Sequence, residues 1–211
     1  MKVFDYILAN SDRFISAVQS HLLLSGMALL IALIVCIPLG ILCAKYGRIS
    51  STVMNVVNGI RVIPSLAILV IVLPIMGTGF YPALFALTVL ACPPILINTY
   101  IGFRDIDRDV KEAAAGMGLS QKHLLWKIEW PLATPLMITG CRTASVEVIA
   151  GATLAAFIGG GGLGQFIING LGMYNMTLLL VGAIPVAMLT IFSEIIFSTL
   201  ERGLTSYQRA I

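Results

Sequence analysis

From Leu22 to Cys43 the chain carries no charged side chain, and an apolar run of that length restricts the fold more than any other feature. A helix rises about 1.5 Å per residue, so about 20 apolar residues cross a hydrocarbon core of about 30 Å. Similar runs recur, and we place spans at Leu22–Cys43, Met54–Met76, Pro82–Ile101, Pro131–Ala155 and Thr177–Leu200. The second has Asn55, Asn58 and Arg61 in its first turns, which sets that end at the membrane face or inside the protein. Charged residues make up 11% of the chain, well below the roughly one quarter of a soluble domain. The reading is an all-α integral membrane protein: one transmembrane domain over residues 1–211, with five transmembrane helices.

The N-terminal segment, residues 1–20, mixes acids and bases and lacks the basic start and apolar run of a cleaved signal. Val3, Phe4, Ile7, Leu8, Phe14, Ile15 and Val18 recur at helical spacing, which predicts an amphipathic helix on the membrane surface leading into the first span. Basic residues set the orientation. Lys45 and Arg48 follow the first span, and Arg104, Arg108, Lys111, Lys122 and Lys127 fill the connection between the third and fourth. Arg202 and Arg209 close the chain. These segments belong in the cytoplasm. The opposite side receives Gly77–Tyr81 and the glycine stretch through Asn175, both uncharged, and Lys2 and Arg13 there are offset by Asp5 and Asp12. The N-terminus is therefore expected outside and the C-terminus in the cytoplasm.

Gly159, Gly161 and Gly164 satisfy the G-x-G-x-x-G pattern of dinucleotide-binding loops. That pattern requires a preceding strand, a following helix and an acidic residue about 20 positions on. Here an apolar span precedes it and no acid stands about 20 positions on, so the match is accidental. The run Gly159, Gly160, Gly161, Gly162 and Gly164 permits tight reversal and close backbone approach. It is expected to form an outer loop, with "GQFIINGLG" beyond it either a re-entrant gate or a flexible turn. Cys36, Cys43, Cys92 and Cys141 stand singly in apolar runs and read as small core residues, with no metal site.

One long polar connection, residues 102–130, contains "RDIDRDVKEAAAGMGLSQKHLLWKIEW". Asp105, Asp107 and Asp109 alternate like the start of a calcium loop, but Val110 stands where its glycine is required. Asp109 with Glu112 resembles a capping box, and "EAAA" is strongly helix-forming. Gly116 and Gly118 stop that helix, and Ser120 caps a second one running to Pro131. With little bulk at Ala113, Ala114, Ala115 and Gly118, the first helix suits a groove on another protein, or it forms a hairpin that only links two spans.

Glu112-Ala113-Ala114, Gly118 after three residues, then Ile128 and Pro131 after nine more, resemble the "EAA" loop of ABC importer permeases. Trp130 departs from that signature, where leucine is usual. The resemblance implies that this loop is a cytoplasmic coupling helix seated in a cleft of a separate ATPase. The chain has no G-x-x-x-x-G-K-[ST] loop, so it needs no cofactor of its own, and ATP and magnesium are expected in that partner. Over most of its length the chain looks like the compact methionine-type permeases of type I importers. "RVIPSLAILV", "PPILINTYIGFRDID" and "AAFIGGGGLG" are similar to the osmoprotectant subgroup, whose solutes are glycine betaine, carnitine and choline. Ile97 stands where many of those relatives have arginine. The resemblance implies a multi-pass protein of a bacterial cell membrane that is not itself an enzyme. Its implied partners are a cytosolic ATPase dimer, a second permease (identical or paralogous), an extracytoplasmic binding protein and membrane lipid, and no nucleic acid.

Charges at membrane depth are costly. Arg142 and Glu147 lie in the fourth span and Glu194 in the fifth; Arg142 and Glu194 are expected at one depth and paired, unless Arg61 replaces a partner. Glu147 alternatively faces the path of a cationic solute. The same architecture could serve an amino acid or ergothioneine. An ion-coupled secondary transporter, for which only Glu147 and Glu194 speak, stays open at this point.

Overall fold

The computed structural model describes residues 3–205, so Lys2 and Arg209 of the charge pattern lie outside the described residues. The long apolar runs become long helices. Helix α1 (Val3–Ala9) leads into α2 (Ser11–Lys45), followed by α3 (Gly47–Val62), α4 (Ser65–Met76) and α5 (Phe80–Arg104). Helices α6 (Arg108–Gly116) and α7 (Gln121–Leu124) form the polar connection. Then come α8 (Trp130–Ala155), α9 (Gly164–Gly172) and α10 (Met176–Thr205).

Helix α5 is the central post, with α2 and α8 against it. Leu24, Ala28, Ala32 and Cys36 on α2 repeat every fourth residue, as do Ala83, Leu87, Ala91 and Ile95 on α5 and Ala144, Val148 and Ala152 on α8; all are buried. Such rows make ridges that interlock, and small side chains let the helix backbones close in, which is how helices associate in lipid. A Cβ on Gly40 would come within 2.8 Å of Thr99, and one on Gly140 within 2.7 Å of the Pro94 carbonyl. Those two glycines set the spacing of α2 and α8 from α5.

Among the described residues four helical stretches are long and apolar enough to cross a membrane, Ser11–Lys45, Phe80–Arg104, Gln121–Ile158 and Met176–Leu204, and the bent pair α3–α4 makes a fifth if taken as one span. The expected second span, Met54–Met76, is instead split: α3 and α4 meet at a bend of 100°. Ile63 leaves helical geometry, with ψ at 124°, the extended conformation that a following proline favours. Pro64 itself is extended, with ψ at 138°.

The N-terminal stripe falls on two faces. Val3, Ile7, Phe14 and Val18 pack on a protein cluster built from Leu163, Phe166, Leu178 and Val181, while Phe4, Leu8 and Ile15 are exposed. The expected single stripe is therefore divided, one half held by α9 and α10. Phe166 anchors this contact, its ring 6.4 Å from both Tyr6 and Phe14.

The glycine run lies at one end of the bundle. After a tight turn at Ala156–Ile158, Gly159, Gly161 and Gly162 all adopt φ of 78°, a left-handed geometry that glycine accepts without strain. The amide of Gly79 donates to the Ile158 carbonyl at 2.7 Å, which joins the loop after α4 to this turn. Buried His21 sits beneath Gly162 and bonds the Ile149 carbonyl at 3.1 Å. Helix α9 is seated on α10, where a Cβ on Gly182 would lie 2.7 Å from the Leu163 carbonyl. At the opposite end, Ala44 of α2, Phe103 of α5 and Trp130 of α8 converge, close to the basic residues Lys45, Arg104 and Lys111.

Candidate functional site

Helix α6 starts on Asp107, whose carboxylate accepts from the Asp109 amide at 2.9 Å. The cap is therefore Asp107, and the expected capping box of Asp109 with Glu112 does not form. Glu112 instead pairs with Arg108, one turn before it, at 2.6 Å. At the other end Gly118 takes φ of 81° and donates to the Ala115 carbonyl at 2.9 Å, while the Leu119 amide returns to Ala114 at 3.3 Å. Gly118 is thus required by backbone geometry at the helix stop; a Cβ there would meet nothing within 4 Å.

The "EAA" residues divide by face. Ala114 is buried, whereas Glu112, Ala113, Ala115, Gly116 and Gly118 are exposed, with Met117 73% exposed at the tip. The outcome is a short helix fixed on one side and bare on the other. Lys111 does the fixing: its Nζ donates to the Phe103 carbonyl at 3.2 Å, in the last turn of α5, and lies 3.8 Å from buried Glu129. A cation on the unsatisfied carbonyls of a helix C-terminus is favourable. Sequence reasoning counted Lys111 only as a charge; the acid at Glu129, among apolar and basic residues before Pro131, was the available signal for its partner.

Ser120 caps α7, accepting from the His123 amide at 3.4 Å. Between α7 and α8 the helix widens into a π turn over Leu125–Glu129. Pro131 follows at the start of α8, and its ring and missing N–H disfavour an ordinary α turn there. Ile128 is half-buried and Pro131 exposed. Trp130 stacks on Trp126 with ring centres 5.0 Å apart and meets the Phe103 edge at 6.0 Å, so the tryptophan ties the loop to the end of α5.

Two charge groups lie among the long helices. Arg142 Nε donates to Glu194 at 2.7 Å, its Nη2 reaches the same carboxylate, and Nη1 lies 3.2 Å from Glu201. Thr139 also donates to Glu201, at 3.3 Å. Sequence reasoning missed Glu201 because the fifth span was closed at Leu200; its heptad spacing from Glu194, on the same helix face, was the signal. Arg61 takes no part. It shares with Glu147 a cavity of about 630 Å³ beside the α3–α4 bend.

The fold is that of an importer permease. The structure matches the MetNI methionine ABC transporter in an inward-facing crystal form, with a TM-score of 0.84, over 93% of this chain and 98% of that one, at 22% identity. The chain belongs to the binding-protein-dependent transport system inner membrane components, matching that family over residues 36–206, and with its apolar helices it is a multi-pass membrane protein. It is 38% identical to the carnitine transport permease OpuCB of Listeria monocytogenes, covering 96% of this chain and 93% of that one. It is 35% identical to the choline transport permease OpuBB of Bacillus subtilis, over 96% and 94%. The glycine betaine/carnitine/choline permease OpuCB of the same organism is 34% identical, over 97% and 94%.

Proposed function

We propose that this chain is one permease subunit of an ATP-driven importer for quaternary ammonium and betaine solutes of the carnitine, choline and glycine betaine type. The observation that carries this reading is helix α6: exposed along Glu112, Ala113 and Met117, yet anchored through Lys111 to α5 and through Glu129 to the start of α8. A rod held that way passes a push at its bare face directly to two spanning helices. In the proposed cycle a cytosolic ATPase pair closes on ATP, moves α6, and switches the permease between outward and inward access. The chain supplies half a pathway, and a second permease subunit completes it. ATP and magnesium belong to the ATPase, so this chain is not an enzyme.

The N-terminus and the glycine run face outward in this reading, and the C-terminus lies in the cytoplasm with α6. The run Gly159, Gly160, Gly161, Gly162 and Gly164 forms an outer gate near where the binding protein delivers solute. The bond from the Gly79 amide to Ile158, just before the run, couples that gate to the end of α4.

The test is uptake into proteoliposomes holding the complete transporter, with its binding protein and internal ATP. Radiolabelled carnitine, glycine betaine and choline are each offered. ATP-dependent accumulation of at least one supports the reading. Accumulation of amino acids only, or uptake driven by an ion gradient without ATP, overturns it.

A further inference from the structure

The cavity beside the α3–α4 bend is built with opposite charges on its walls. Arg61, in the last turn of α3, and Glu147, inside α8, both line it, together with Ser65, Leu90, Pro93 and Gly151. Charges at membrane depth demand compensation. The other intramembrane cation, Arg142, receives it from Glu194 and Glu201. Among the described residues Arg61 and Glu147 close no such ion pair, although they face the same space of about 630 Å³. Helix α4 also begins at this cavity, on Ser65, and no side chain caps it. Its first amides therefore add partial positive charge on the Arg61 side.

Gly151 lies one turn beyond Glu147 on α8, and a Cβ there would press on Leu90 at 2.9 Å. Its missing side chain brings α8 close to α5 beneath the cavity. Leu90, Pro93 and Leu154 add apolar wall and Thr153 a hydroxyl, and among the described residues no aromatic ring lines it. A quaternary ammonium here meets a carboxylate and methyl-sized contacts, without the cation–π cage that makes capture tight.

We propose that this cavity is a transient binding site for a zwitterion. Arg61 and the start of α4 take the carboxylate, and Glu147 takes the quaternary ammonium. Such a solute compensates both wall charges and adds no net charge to the membrane interior. A plain cation such as choline satisfies Glu147 but is repelled by Arg61. The inference rests on the importer reading and deepens it: the permease itself favours betaines over choline.

A binding protein filters solutes before they reach the membrane, so the test uses the purified permease–ATPase complex without it. Binding of radiolabelled glycine betaine and of choline is measured by equilibrium dialysis. Wild type is expected to bind glycine betaine about tenfold more tightly than choline. Arg61→Met loses about tenfold for glycine betaine and nothing for choline, Arg61→Lys retains the preference, and Glu147→Gln weakens both. Unaltered melting of each variant complex confirms folding. Equal binding of the two solutes to wild type, no binding of either, or equal losses for both in Arg61→Met overturns the site. The importer reading fails separately, if wild type with its binding protein accumulates no quaternary solute in proteoliposomes.

Discussion

Arg142 on α8 holds Glu194 on α10 from 52 residues away in sequence, with Nε 2.7 Å from the carboxylate. Its remaining amino group reaches Glu201, so one guanidinium fastens two points of α10 seven residues apart. Truncating one side of such a pair leaves charge without a partner, which costs more than removing both sides. Arg142→Gln should lower the melting midpoint of the detergent-solubilised complex, because both carboxylates then lose their cation. The double variant Arg142→Gln with Glu194→Gln should recover part of that loss. Differential scanning fluorimetry reads both; a double variant less stable than the single one would contradict the pairing argument.

Gly118 stands at φ of 81° with open space around its missing side chain. The penalty for substitution is conformational, about 1–2 kcal/mol for a side chain in the left-handed region. Asparagine tolerates that region far better than valine. Gly118→Asn is expected to leave ATPase-coupled uptake within about twofold of wild type, and Gly118→Val to lose most of it. Equal loss in both would assign Gly118 to fit against the ATPase rather than to the helix stop.

Trp130 replaces the leucine usual in the loop signature, and its rings contact Trp126 and Phe103. An aromatic pair contributes about 0.5–1.5 kcal/mol beyond area burial. Trp130→Leu should lower the melting midpoint by about 1–6 °C and leave the uptake rate per folded transporter unchanged. A changed rate at an unchanged midpoint would place Trp130 in the transport step.

The spans were legible because a hydrocarbon core demands long apolar runs, and Leu22–Cys43 carries no charge to interrupt one. The bend at Ile63–Pro64 was not legible, because proline alone does not decide. Pro38, Pro93, Pro94, Pro135 and Pro185 all stay inside helices, and only the backbone tells which proline breaks one. The cap moved from Asp109 to Asp107 for a related reason: three alternating aspartates offer three registers, and the choice depends on where α5 releases the chain. Fidelity was highest where two signals coincided, as at Ser120 before a helical run. It was lowest for pairs between distant elements, such as Lys111 with the Phe103 carbonyl, where residue type narrows nothing without the fold.

The proposed cycle requires the bare face of α6 to dock on a cytosolic ATPase. Its most direct measurement is co-purification in mild detergent from native membranes, comparing wild type with Ala113→Trp. Ala113 is exposed on that face and makes none of the contacts that anchor the helix. A nucleotide-binding subunit is expected to accompany the wild type and to be lost from Ala113→Trp, while the permease's own melting midpoint shifts by less than about 2 °C, as for other surface substitutions. Equal recovery of the ATPase with both proteins, or none with either, would contradict it.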